Sequence, residues 1–304
     1  MAEEFCEVGD IRLCYETFGD RNDPALLLVM GLGTQMVAWH EDFCADLVSR
    51  GFFVIRFDNR DIGRSSRVEG RVPTVGQLLL RSRRAGVYRL SDMANDAVGL
   101  LDHLGIERAH VVGASMGGMI AQTIAAQHPD RVLSLASIMS NTGNRWTGQP
   151  HPRLYPVLLR RPPSDLDAYL AHIKSAFALI ASPGFEHDPA RLEELARRSF
   201  ERGVDVHGPA RQLGAITASG DRTAELRRIT APTVVLHGTR DRLVSPSGGR
   251  ATARAIKGAK LVMVEGMGHD LPRDAWPQLI EAIVDNAERA EAAAADAAAG
   301  AEAA

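Results

Sequence analysis

The sequence predicts an α/β protein: a mostly parallel central sheet with helices on both faces and a helical cap inserted between two of its strands. Three observations carry this. Short apolar runs alternate with stretches of helical periodicity, the pattern of strands buried on both faces and covered by helices. The strand pattern disappears over residues 141–228, where prolines cluster at Pro150, Pro152, Pro156, Pro162 and Pro163 and helical stretches follow. It then resumes, so the sheet comes from two segments, 1–140 and 229–289, separated by the cap. The Ala-rich tail, 290–304, cannot build a core of its own.

The elements follow in order. Phe5–Val8 and Ile11–Thr17 read as a hairpin turned by Gly9-Asp10. Ala25–Met30 is continuously apolar and reads as a doubly buried strand. Gly31-Leu32-Gly33 breaks it. A helix is expected from about Val37 to Arg50, stopped by Gly51, and a strand over Phe52–Phe57. Met93, Ala97, Leu100, Leu101 and Leu104 share one helical face, with Ser91 as the expected N-cap and Gly105 as the stop. Ala109–Val112, helix Met116–Gln127 and Val132–Met139 continue the alternation. Within the cap, helices are expected at about Asp165–Ile180, Pro189–Glu201 and Pro209–Ala218. Strand Thr233–His237, helix Ser247–Ile256, strand Leu261–Val264 and helix Trp276–Ala290 complete the core.

Composition narrows the function classes. Lys and Arg number 35 against 38 Asp and Glu, a net charge of −3. This lacks the basic footprint of a nucleic-acid binder. No apolar run reaches the roughly 18 residues of a membrane span. The acidic start, Met1-Ala2-Glu3-Glu4, has no apolar signal region, so a cytoplasmic location is expected. Cys6, Cys14 and Cys44 are an odd set without C-x-x-C spacing and read as buried thiols. No histidine pair has a ligand spacing, so neither metal nor cofactor is expected.

The strongest chemical signal is Gly113-Ala114-Ser115-Met116-Gly117-Gly118, a G-x-S-x-G between a strand and a helix. That context distinguishes a nucleophile elbow from a plain turn. Small flanking residues let the backbone turn sharply, which projects the serine hydroxyl above the sheet. The helix N-terminus then presents amides to a developing oxyanion. A serine needs a base, and the base an acid, expected downstream in the order acid, then His. Asp241 follows the strand Thr233–His237, and His269 lies in Gly266-Met267-Gly268-His269 after the next strand. Singly, Asp241 could cap a turn and His269 could be a surface side chain. The ordered conjunction favours Ser115 as nucleophile, His269 as base and Asp241 as acid. Asp270 is the weaker acid candidate, because adjacent side chains diverge. The expected oxyanion donors are the backbone amides of Met116 and Leu32. Gly31, Gly33, Met36, Trp39, Tyr155 and Phe177 are candidate pocket residues, although apolar cap side chains serve equally as the cap's own core.

With these residues in view, the chain resembles the α/β-hydrolase superfamily to about residue 290. The resemblance rests on Gly31-Leu32-Gly33, the elbow, Asp241, Gly268-His269 and Asp58-Asn59-Arg60-Asp61-Ile62-Gly63-Arg64-Ser65. The last looks like the family's D-x-R-G-x-G-x-S segment, with Asp61 in place of Gly. The chain is most similar to polyketide methyl ester hydrolases of the aclacinomycin methylesterase type and to related actinobacterial carboxylesterases. Met30 stands where the family commonly has His. The resemblance implies cofactor-free cleavage of a small-molecule ester. Ser115 argues against the dehalogenase and epoxide hydrolase branches, which carry Asp at the elbow. Perhydrolases, lactonases and C–C bond hydrolases share the triad and stay open. The presence of all three triad members argues against a non-catalytic ligand-binding protein on the same fold.

Overall fold

The computed structural model describes residues 2–302. Eight strands form one sheet: β1 (Glu4–Val8), β2 (Ile11–Phe18), β3 (Ala25–Val29), β4 (Phe53–Phe57), β5 (Ala109–Ala114), β6 (Val132–Ile138), β7 (Thr233–Gly238) and β8 (Lys260–Val264). The helices are α1 (Glu41–Ser49), α2 (Val75–Leu79), α3 (Leu90–His103), α4 (Met116–Gln127), α5 (Tyr155–Leu158), α6 (Leu166–Ile180), α7 (Pro189–Arg202), α8 (Gly208–Ser219), α9 (Thr223–Leu226), α10 (Ser247–Ala255) and α11 (Trp276–Glu302). Helices α5–α9 all lie between β6 and β7.

The spatial strand order is β1-β2-β4-β3-β5-β6-β7-β8. The β1–β2 and β2–β4 pairs are antiparallel, and every later pair is parallel. The order reverses between β3 and β5, where Val29 pairs with Gly113. Chains diverging from such a switch point leave a crevice at the strand ends, the usual ligand position of open α/β sheets.

Strand periodicity divides the core. Leu27 and Val29 of β3 face a layer built by α3 and α4, with Leu90, Met93, Leu101, Ile120 and Ile124. Leu26 and Leu28 face the opposite layer, where α1 and α11 supply Phe43, Leu47, Leu279 and Ile283. One charge interrupts this core. Arg56 of β4 is 1% exposed and is neutralised by Glu16 (Nε–Oε2, 2.7 Å) and Glu41 (2.5 Å).

Several boundaries depart from expectation. The segment from Val37 is a 3-10 turn at Met36–Ala38, and α1 starts only at Glu41, where His40 Nδ1 accepts the Asp42 amide (3.0 Å). Helix α3 begins before Ser91. Asp92 takes the Arg89 amide (2.7 Å) and Ser219 of α8 takes that of Leu90 (3.0 Å), so a side chain distant in sequence helps fix the start. The short α2 and α5 carry too few residues to show a period. The Ala-rich stretch continues α11 to Glu302, as the high helix propensity of Ala favours.

Candidate active site

The elbow is built from close approaches that admit no side chain. A Cβ on Gly113 would stand 2.1 Å from the Gly117 carbonyl oxygen, one on Gly117 2.0 Å from that of Val29, and one on Gly118 2.7 Å from Ser140 Cβ. Glycine at these points lets β5, α4 and β3 meet. Ser115 pivots between them with φ 57° and ψ −118°, a strained backbone for a residue with a side chain. Its amide is held by the Ile138 carbonyl (2.9 Å), and its own carbonyl starts α4 by accepting from Met119 (3.2 Å).

The loops after β7 and β8 bring the other two groups to the same end of the sheet. A Cβ on Gly238 would lie 2.1 Å from the Met267 carbonyl oxygen, so these loops are packed backbone to backbone. Ser115 Oγ is 2.8 Å from His269 Nε2, and His269 Nδ1 is 2.7 Å from Asp241 Oδ2. This arrangement assigns the His269 proton to Nδ1, leaving Nε2 to accept from the serine. The second oxygen of Asp241 takes the amides of Leu243 and Val244, each at 2.8 Å. Burial alone would raise the Asp241 carboxyl. The adjacent His269 imidazole, which donates to the carboxylate, and His237 Nε2 at 3.4 Å outweigh it, and the group stays below the usual carboxylate range. His237 Nε2 donates to the Val244 carbonyl (2.8 Å), steadying the turn that holds Asp241.

Gly31 lies against the serine: a Cβ there would be 3.2 Å from Ser115 Cβ. The neighbouring amide of Leu32, like that of Met116, meets no protein acceptor among the described residues. Both ends of this loop are gripped from the segment after β4. Asn59 donates to the Met30 carbonyl (2.9 Å), and Asp58 accepts the Met36 amide (2.8 Å).

The other expected pocket residues separate. Gly33 is exposed at φ +67°, with the Pro209 ring 3.3 Å from a Cβ position. Met36 and Trp39 are corrections to the expectation. Both are 0% exposed and belong to the packed interior. Met36 sits with Cys14 and Val37, while Trp39 stacks on Phe43 at 5.4 Å between centroids. An apolar side chain after a loop carries no local mark of whether it faces solvent or core. Tyr155 is also displaced: Leu154 takes the inward position beside it and Tyr155 is 41% exposed. Phe177 lines a cavity of about 360 Å³ with Ala181, Pro183, His187, Leu192 and Arg242, a lining without Ser115 or His269.

Asp270 does not join the Ser115–His269–Asp241 path. It accepts from Ser182, whose Oγ in turn takes the Gly268 amide (2.7 Å), and the Ile180 carbonyl takes that of His269 (2.8 Å). The end of α6 thus braces the His269 loop. Sequence reasoning missed this brace; the Gly268-His269-Asp270 run was its visible half. Among the described residues no group of three or more His, Cys, Asp and Glu could hold a metal ion. Nor, among them, is any helix long and apolar enough to cross a membrane.

Residues 24–272 match a family profile described as alpha/beta hydrolase fold. Rhodomycin D methylesterase DauP of Streptomyces sp. strain C5 is 30% identical over 298 residues, covering 90% of this chain and 94% of that protein. 3-Oxoadipate enol-lactonase 2 of Acinetobacter baylyi is 27% identical, over 84% and 86% of the two chains. Among solved structures, the enol-lactonase from Burkholderia xenovorans LB400 superposes with a TM-score of 0.73 at 26% identity, covering 93% of this chain and 99% of that one.

Proposed function

We infer that this chain, which belongs to the α/β-hydrolase fold family and is a carboxylic ester hydrolase, cleaves its ester through an acyl-enzyme on Ser115. The observation that carries the reading is the continuous hydrogen-bonded path from Ser115 through His269 to the buried Asp241.

The chemistry follows from that path. Ser115 Oγ attacks the ester carbonyl carbon as its proton passes to His269 Nε2. Asp241 keeps the imidazole oriented and stabilises the imidazolium. The carbonyl oxygen gains a full negative charge, which the Leu32 and Met116 amides and the α4 N-terminus stabilise without reorganising. His269 returns its proton to the departing alkoxide, releasing an alcohol and leaving the acyl group on Ser115. Water then loses a proton to His269 and attacks the acyl carbon. Collapse restores Ser115 and releases the acid, so one water is consumed for each acid and alcohol formed.

The similarity to a rhodomycin D methylesterase supports a methyl ester as substrate. The similarity to enol-lactonases supports a second substrate form, since a lactone is an internal ester that the same attack opens. The test is a panel of methyl esters, longer alkyl esters and lactones assayed with wild type and Ser115→Ala. The variant should retain its unfolding midpoint and lose roughly 10⁴-fold or more in kcat. Unchanged turnover would remove Ser115 from the mechanism. A preference for lactones over methyl esters would overturn the substrate assignment alone.

A further inference from the structure

We propose that Gln212, carried by the cap helix α8, is a positioning residue for the oxyanion loop, so that the seating of the cap sets the catalytic geometry of the core. The inference rests on the Leu32 amide being an oxyanion donor and concerns how that amide is aimed.

The Leu32–Gly33 peptide is fixed at both ends. Its carbonyl oxygen accepts from Thr34 Oγ1 (3.1 Å), and its N–H donates to Gln212 Oε1 (2.8 Å). Gly33 is at φ +67°, where glycine leaves rotation of this peptide unit nearly free. Thr34 belongs to the same loop and moves with it. Gln212 does not: it is 179 residues away, is 0% exposed, and uses its other amide atom to donate to the Arg60 carbonyl (3.0 Å). A buried amide with both its oxygen and its nitrogen engaged can hold only one orientation. Rotating the Leu32–Gly33 peptide re-aims the Leu32 residue, and with it the amide beside Ser115. The Met36 and Met30 clamps hold the ends of the loop; Gln212 holds its middle.

Gln212 is itself held by its neighbours. Arg211, the preceding residue of α8, meets Asp61 with two hydrogen bonds (Nε–Oδ2, 3.0 Å; Nη2–Oδ1, 2.7 Å). Tyr88 donates to the same carboxylate (2.6 Å). A Cβ on Gly208 would lie 2.2 Å from the Asp61 carbonyl oxygen, so the start of α8 rests directly on the Asp61 backbone. Asp61 occupies φ +72°, a left-handed position favouring glycine, and here the side chain is used to seat α8. The chain of contacts therefore runs from Asp61 through Arg211 and Gln212 to Gly33 and the oxyanion donor.

The experiment compares wild type with Gln212→Met, which keeps the length but removes both hydrogen bonds, and Gln212→Glu, which keeps the acceptor for Gly33. Each is titrated with a p-nitrophenyl alkylphosphonate, which loses p-nitrophenolate as Ser115 Oγ bonds to phosphorus and whose phosphoryl oxygen enters the oxyanion hole, and kcat is expressed per labelled site so that misfolded protein does not count. We expect Q212M to lose about tenfold in kcat and in phosphonylation rate, with KM changed less than about twofold, a fraction of what loss of a donor costs. Q212E, which keeps the Gly33 bond but loses the one to Arg60, should recover part of both. Wild-type rates in Q212M, a loss confined to KM, or equal loss in Q212E would overturn the proposal while leaving the serine mechanism standing. Failure of the phosphonate to label Ser115 in wild type would overturn both.

Discussion

Every residue of β3 and of β4 is buried, whereas α6 buries only Tyr169 and Leu170, and α7 only Ala196 and Arg202. The sheet is held by two apolar layers that fill the space on either side of it. The cap has a small cluster of its own, Tyr169, Leu170 and Ala196 packed with Ile173 and Phe200; Ala215 and Leu226 join the apolar core, and polar anchors from α7 and α8 add to that contact. Arg202 extends from the end of α7 to Asp58 (2.8 Å), Gln35 (2.6 Å) and Glu3 (2.7 Å); Arg211 reaches Asp61; Gln35 donates to the carbonyls of Ser199 (2.7 Å) and Gly203 (3.0 Å). Apolar packing tolerates small displacements in every direction. A bidentate pair or a doubly bonded amide is satisfied in one place only. The difference suits the proposed mechanism, in which the sheet segments supply the reacting groups and helices α5–α9 are held in register on them.

Removing the strongest anchor tests that division most severely. Asp58 is 0% exposed, and Arg202→Met would leave its carboxylate buried without its cation, an arrangement that costs about 3–5 kcal/mol. If the cap is separately anchored, limited proteolysis of the variant should cut within residues 141–228 before the sheet segments are touched. Cuts spread evenly over the chain would mean that sheet and cap unfold as one unit and that the comparison is false.

These anchors explain what the sequence conveys and what it hides. Strand periodicity and the glycine-flanked serine are local signals, because a doubly buried strand and a tight elbow constrain residues next to one another. The order Ser115, Asp241, His269 was legible because each residue follows a strand of a parallel sheet. Arg202 and Asp58 lie 144 positions apart, and nothing near either marks the other. Asp61 was visible as an odd residue where glycine is usual, but its reason, Arg211, lies 150 residues away. Met36 and Trp39 failed for the opposite cause: their apolar character is local, and it fits a pocket wall as well as a core.

Acid separates the two regions by pH. His110 of β5 is 1% exposed, bonded to Ser134 (2.9 Å), with Phe52 edge-on and Glu291 at 3.9 Å from Nε2. Burial, aided by Arg108, pushes its pKa down to about 4. The folded protein therefore keeps it neutral while the unfolded chain, near the ordinary value of about 6.5, binds a proton. The resulting stability is complete above pH about 6.5 and is lost as pH falls toward 4, by on the order of 3 kcal/mol. The cap anchors behave differently. Burial opposes ionisation of Glu3 and Asp205, but Arg202 and Arg64 for Glu3, and the His207 amide with Arg211 and Arg67 for Asp205, hold both below the usual carboxylate range. Their contribution persists until pH falls through those lowered values. Urea titrations at pH 7, 5.5 and 4.5 should show a falling free energy in wild type and a shallower fall in His110→Gln. Equal slopes would show that the core histidine is not the sensor.

The smallest effect is expected inside the cap. Glu193 of α7 pairs with Lys174 (2.7 Å) and Arg197 (2.8 Å), distances matching the Arg202–Asp58 pair. The distance is the same and the setting is opposite. Glu193 and its partners stand in water, where the high dielectric weakens the attraction, salt screens it, and ordering three long side chains opposes it. Glu193→Gln should leave both the unfolding midpoint and the protease pattern of the cap unmoved at about 0.15 M salt. Differential scanning calorimetry against Arg202→Met makes the contrast direct. A drop in Glu193→Gln comparable to that of Arg202→Met would mean that charge proximity, and not burial, seats the cap.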